Sequence, residues 1–188
     1  MPTSSNTMVQ TRQNLMEAFW ELYTIKRIEK ITIREITSRA GYNRGTFYEY
    51  FKDVYDLLSQ IEDELIADMQ QFTPVSLLTD APIPLDHMMN KLVTHRKYLA
   101  VLLGDHGDPS FQSKIKTSYR NMIVQQLANT GIKLNMELEI VLEYALSAMI
   151  GVTGSWLQQG EKIPLDQLVK LLQRITQDGL LQTIRTQI

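Results

Sequence analysis

The segment from Ile31 to Phe51 leaves its backbone few options. Thr32 is a good helix N-cap, and Glu35, three residues later, is placed to bond back to the Thr32 amide as a capping box. Ile31 before the cap and Ile36 after it are spaced for a hydrophobic staple. Ile33, Ile36 and Ala40 then mark one buried face, and Gly41 accepts the left-handed backbone that ends a helix. Beyond Tyr42, Asn43 is the natural cap of a second helix reaching about Tyr50. Helix, tight glycine turn and short helix together form a helix-turn-helix.

The second helix of such a pair fits the major groove of duplex DNA. Phe47 and Phe51, four apart, supply its inward face, which leaves Arg44, Thr46 and Tyr48 on other faces. Arg44 can bond a guanine edge bidentately, or a phosphate. Thr46 offers a hydroxyl, or its methyl to a thymine. Tyr48 and Tyr50 are long enough to reach phosphate oxygens, and Gly45 lets the backbone approach DNA closely. Free amides at the two helix starts suit phosphate.

Charge agrees with this reading. The net charge of −2 divides into +3 over residues 1–52 and −5 over the rest. A basic head on an acidic body suits a head that meets phosphate.

The rest of the chain reads as helix, with no run that alternates like a strand. The first helix spans about Met8 to Ile25, with Leu15, Ala18, Phe19 and Leu22 as its inner stripe. Asp53 caps a fourth, running to about Gln71 over Val54, Leu57, Leu58, Ile61, Leu65 and Met69. A proline-bearing loop from Thr73 to Pro84 follows, and then a fifth and sixth helix between Leu85 and Leu103. A turn at Gly104–Pro109 leads to a seventh helix over Ser110–Asn129. The eighth covers Met136–Gln158 and the ninth about Leu165–Ile184. The fold class is therefore all-α with about nine helices: a DNA-binding domain over 1–52 and a regulatory and dimerisation domain over 53–188. The eighth helix is apolar on nearly all sides beyond Glu143, so it and the ninth are expected to bury themselves within one chain or against a second copy.

The stretch ITIREITSRAGYNRGTFYEYFKDVYDLL, Ile31 to Leu58, resembles the N-terminal domain of TetR/AcrR-type regulators. The resemblance rests on Thr32, Ile36, Ala40-Gly41, Gly45 to Tyr48, Tyr50 to Asp53 and Leu57-Leu58. It implies a homodimer that binds double-stranded operator DNA through helices 1–3, pairs through helices 8 and 9, and is released by a small-molecule or protein effector. Repression is what it implies by default. It places Thr32, Tyr42, Asn43, Arg44, Gly45, Thr46, Tyr48, Tyr50 and Lys52 towards DNA. The family's usual lysine two residues after the Lys52 position is here Val54, which leaves the charge of a phosphate clamp there to Lys52, Lys26 or Arg27. Tyr98-Leu99 to Gly104, with Gly107 to Phe111, resembles the C-terminal variety that includes regulators of dihydroxyacetone kinase operons.

Other chemistry finds little footing. There is no cysteine, which excludes disulfides and thiolate metal sites. His87, His95 and His106 lack metal-binding spacing, and Asp105 and Asp108 suit a turn, so no metal or cofactor is expected. No nucleophile elbow, phosphate loop or dinucleotide fingerprint is present, so no catalytic residue is expected. No signal peptide is visible, and the charge-free stretch Tyr144–Leu157 is too short for a membrane span, so a cytoplasmic protein without a membrane partner is expected. Met89, Tyr98, Met122, Tyr144, Met149 and Trp156 are candidates to line an adaptable apolar pocket, although plain core packing is the simpler account of any one of them. The competing function is a helical co-regulator acting through a protein partner, with weak intrinsic DNA binding.

Overall fold

Thr32 and Glu35 close the expected capping box. The Glu35 amide donates to Thr32 Oγ1 at 3.3 Å, and the Thr32 amide donates to Glu35 Oε2 at 2.9 Å. Gly41 takes φ 78°, and its N–H returns to the Thr37 carbonyl. Asn43 Oδ1 accepts the Thr46 amide at 2.9 Å and starts the next helix. Each device satisfies amide or carbonyl groups that a helix end would otherwise leave bare.

The computed structural model describes residues 4–70, 85–104, 107–129 and 131–179. Among them every regular element is helical. In order these are α1 (Ser4–Tyr23), a 3-10 turn (Ile28–Lys30), α2 (Ile33–Ala40), α3 (Arg44–Tyr48) and α4 (Val54–Gln70). Then come α5 (Leu85–Leu102), α6 (Phe111–Asn129), α7 (Met136–Gln158) and α8 (Leu165–Asp178). The chain packs as two compact units, Met1–Ala67 and Asp68–Ile188.

In the first unit α1 lays its predicted stripe of Leu15, Ala18, Phe19 and Leu22 into the core. Ile36 of α2, Phe47 of α3 and Phe51 close over it, with Leu57 of α4 also fully buried. Phe47 and Phe51 pack with ring centroids 5.4 Å apart. Each such buried aromatic contributes about 1.5–3 kcal/mol of transfer free energy, which gives a five-residue helix the stability its length cannot. Arg12 braces the arrangement from α1. Its guanidinium lies over the Phe51 ring at 5.7 Å, donates to Gln60 Oε1 at 2.7 Å and pairs with Glu64 at 2.6 Å.

In the second unit α6 and α7 pack through Ile123, Leu127, Leu142 and Leu146. α5 meets α7 where Gly154 faces Leu103: a Cβ at 154 would lie 3.4 Å from Leu103 Cβ. The same junction is tied by Gln158 Nε2, which donates to the Leu103 carbonyl at 2.7 Å. Asn135 caps α7 by accepting the Leu138 amide at 2.8 Å.

Two helices expected between Leu85 and Leu103 are one, α5. No proline or glycine interrupts that stretch, so nothing stops the helix before Gly104. α1 ends at Tyr23, two residues before the expected Ile25, which is exposed. The expected helix start at Ser110 falls one residue later, because Asp108 Oδ1 accepts the Ser110 amide and holds that residue in the turn. The last helix ends at Asp178, short of the expected Ile184, where Gly179 takes φ 82° and its N–H returns to the Ile175 carbonyl; the proline-bearing loop lies outside the described residues. α7 as a whole is long and apolar enough to cross a membrane, a different result from its charge-free part alone. Only 22% of its most apolar window is buried by the rest of the chain.

Candidate nucleic-acid interface

α3 is anchored through Phe47 and exposes its first turn. Asn43, Arg44 and Gly45 are all exposed there, and Thr46 is half-buried. Tyr48 stands out with 59% of its surface exposed, its ring edge-on to Phe47 at 5.7 Å. That contact fixes one side of the phenol and leaves the hydroxyl free to reach outward. Arg44 and Lys52 are exposed, and among the described residues neither has a carboxylate partner within ion-pair distance.

The hydroxyl groups are more restricted than the sequence implied. Thr46 Oγ1 donates to Asn43 Oδ1 at 3.3 Å, so outward it can offer lone pairs and its methyl group, but no proton. Thr32 Oγ1 donates to Glu35 Oε2 at 2.9 Å and accepts the Glu35 amide, so it too has no proton to give a phosphate. Glu35 also takes Lys26 Nζ at 2.6 Å. The Lys26 ammonium first, then the Thr32 amide and hydroxyl, bring the Glu35 carboxyl down from 4.5 to about 2. Lys26 thereby stands at the start of α2 with further ammonium protons available.

Gly45 lies close against the cap of α3. A Cβ on residue 45 would sit 3.0 Å from Asn43 Oδ1, the oxygen that caps α3. Tyr50 is half-buried, and its carbonyl accepts Gln60 Nε2 at 3.4 Å. Tyr42 is half-buried with its hydroxyl held by Asn14 Nδ2 of α1 at 3.0 Å, a partner the sequence did not announce.

The start of α4 carries no lysine at position 54. Val54 is buried, Asp53 Oδ1 accepts the Asp56 amide at 2.8 Å, and Asp56 Oδ2 accepts the Lys52 amide at 2.9 Å. Two carboxylates already serve that helix end, which makes it a poor phosphate seat.

The candidate pocket residues differ in exposure. Tyr98, Met122 and Met149 are half-buried, Trp156 is buried with its indole N–H on the Ile163 carbonyl at 2.7 Å, and Tyr144 is 63% exposed. The Met89 side chain lies outside the described residues. Tyr119 packs on the α6–α7 cluster, where burial raises its hydroxyl to about 12. His95 meets Asp68 at 2.5 Å, with Lys91 on the same carboxylate at 2.7 Å; Lys91 first and His95 second hold Asp68 below the usual carboxylate range. Among the described residues no group of three or more potential metal ligands assembles.

Residues 16–61 match the description of bacterial regulatory proteins, tetR family, and residues 84–178 that of a transcriptional regulator C-terminal region. The HTH-type transcriptional regulator AcrR of Shigella flexneri is 28% identical over 95 residues, 47% of this chain and 44% of that protein, so the chain matches less than half of that relative's length. A TetR transcriptional regulator from Streptococcus agalactiae superposes with a TM-score of 0.67 at 21% identity, covering 92% of this chain and 96% of that one. The dihydroxyacetone kinase operon activator DhaS gives a TM-score of 0.59 at 18% identity, covering 89% of this chain and 94% of that one.

Proposed function

The chain belongs to the TetR family of bacterial transcription regulators, and from that premise we propose that it is an operator-binding repressor acting as a homodimer and released by an effector bound in its C-terminal unit. The observation that carries the DNA half is the first turn of α3, where Asn43 caps a helix whose Arg44 and Tyr48 are exposed while Phe47 anchors it from behind. Arg44 reads a base edge or holds a phosphate, Thr46 contributes its methyl and lone pairs, and Tyr42, Tyr48, Tyr50 and Lys52 reach the backbone. Thr32 serves by presenting the first amides of α2, with Lys26 beside them.

Dimerisation uses α7 and α8. Ile140, Val141, Tyr144 and Val152 lie exposed along α7, an apolar surface that a second copy of α7 and α8 would cover as a four-helix interface. Two α3 helices then enter successive major grooves, which calls for a palindromic operator. An effector shifts the head spacing only by its difference in affinity for the two states. α4, continuous from Val54 to Gln70, carries residues of both units and is the lever.

The test is anisotropy of a labelled duplex from beside the protein's own gene, across a salt series. Tight, sequence-selective binding with a steep salt slope supports the reading. Weak binding, equal on all duplexes, sinks it and favours the co-regulator alternative, for which the acidic start of α4 is the specific observation.

A further inference from the structure

The Tyr42 hydroxyl ends a chain of side-chain hydrogen bonds that starts on α1. Gln10 Nε2 donates to Asn14 Oδ1 at 2.9 Å, and Asn14 Nδ2 donates to the Tyr42 oxygen at 3.0 Å. Every donor in this order points the same way, from α1 towards the turn that precedes α3. A phenol has one proton and accepts through its lone pairs. With Asn14 donating to the oxygen, the proton has no acceptor among the described residues and remains for an outside group. Hydrogen bonds aligned in series also polarise one another, which makes the terminal O–H a better donor.

We propose that Asn14 is a positioning residue that fixes the Tyr42 hydroxyl as a donor to an operator phosphate. The proposal rests on the DNA-binding reading above. Tyr42 directly precedes the Asn43 cap, so a phosphate at the exposed first turn of α3 lies beside it. The role is neutral: Tyr42 brings a directed proton where Arg44 and Lys52 bring charge. It requires this donor order, because Asn14 turned over would place its carbonyl oxygen against the phenol and draw the proton inward.

Asn14→Asp distinguishes the two orders, since a carboxylate can only accept. Four full-length proteins are compared: wild type, Tyr42→Phe, Asn14→Asp and the double variant. The probe is a fluorescein-labelled duplex from beside the protein's own gene, titrated across a salt series. Tyr42→Phe is expected to weaken binding about tenfold for the two copies in a dimer, with an unchanged salt slope, because no counterion-releasing charge is removed. Asn14→Asp is expected to weaken the wild type about tenfold more than it weakens Tyr42→Phe. The loss in the Phe background measures the new charge alone. A merely structural Asn14 would move the unfolding midpoint but leave no such coupling in DNA affinity. Should Asn14→Asp not fold, Asn14→Ala repeats the cycle without a charge, and its double variant should bind no more weakly than Tyr42→Phe. Equal losses in the two backgrounds, or a Tyr42→Phe protein that binds like wild type, overturn the proposal while leaving DNA binding intact. A wild type without salt-dependent binding overturns the DNA reading and this proposal with it.

Discussion

Asn43 and Gly45 form one device, because the Asn43 oxygen that caps α3 lies 3.0 Å from where a Cβ on residue 45 would stand. Glycine inside a helix ordinarily costs about 1 kcal/mol relative to alanine. Gly45→Ala is therefore expected to yield less than that gain in urea unfolding, because the methyl crowds the cap, and to weaken operator binding. Asn43→Ala is expected to cost about 1 kcal/mol of stability through loss of the cap. A Gly45→Ala protein stabilised by the full increment with undiminished DNA binding would show that the cap tolerates the methyl.

Arg44 and Lys52 are both exposed cations, but their substitutions separate by readout. Arg44→Ala is expected to lose about 1–3 kcal/mol and to relax preference at one base pair. Lys52→Ala is expected to weaken all duplexes alike and to lower the salt slope by about 1 per phosphate contact. Binding to a panel of single-base operator variants at two salt concentrations tells these apart. Uniform loss from Arg44→Ala moves that residue to the phosphate set.

Glu35 links the start of α2 to acid stability. Its folded carboxyl titrates at about 2 against an ordinary 4.5, held down by Lys26 and by the Thr32 amide and hydroxyl. A depressed folded value means that the stabilisation is fully present above the ordinary value and disappears as pH falls from there towards 2. Glu35→Gln is thus expected to reduce unfolding stability at pH 7 while matching wild type near pH 2. Urea unfolding of both proteins at stepped pH checks this, and parallel curves over the whole range would remove Glu35 as the source.

Local grammar explains what the sequence showed of this site. Thr32 with Glu35, Gly41, and Asn43 act within a few residues, and the structure has all of them in the expected roles. Phe47 and Phe51 follow from spacing alone, and both are buried. Contacts between distant residues were not legible. Asn14 to Tyr42 and Arg12 to Gln60 join helices far apart in sequence, and no pattern within either helix records them. The proton accounting at Thr32 and Thr46 depends on which oxygen each hydroxyl faces, which spacing does not encode. α5 is one helix where two are expected, because Leu85 to Leu102 contains no breaking residue.

The exposed face of α7 makes the last prediction. Val141 is 58% exposed and Tyr144 is 63% exposed within one chain, on a helix whose opposite side holds Leu142 and Leu146 in the core. A charge at Val141 meets water in the monomer, so Val141→Glu should leave the single-chain fold and its far-UV dichroism unchanged. In a dimer paired through α7 the same carboxylate would be buried without a partner, at a cost of several kcal/mol. Light scattering is expected to give a dimer for wild type and a monomer for Val141→Glu. Operator affinity should fall with dissociation, since one head holds only one half-site. A Val141→Glu protein that remains dimeric and binds DNA normally would place the dimer contact elsewhere on the chain.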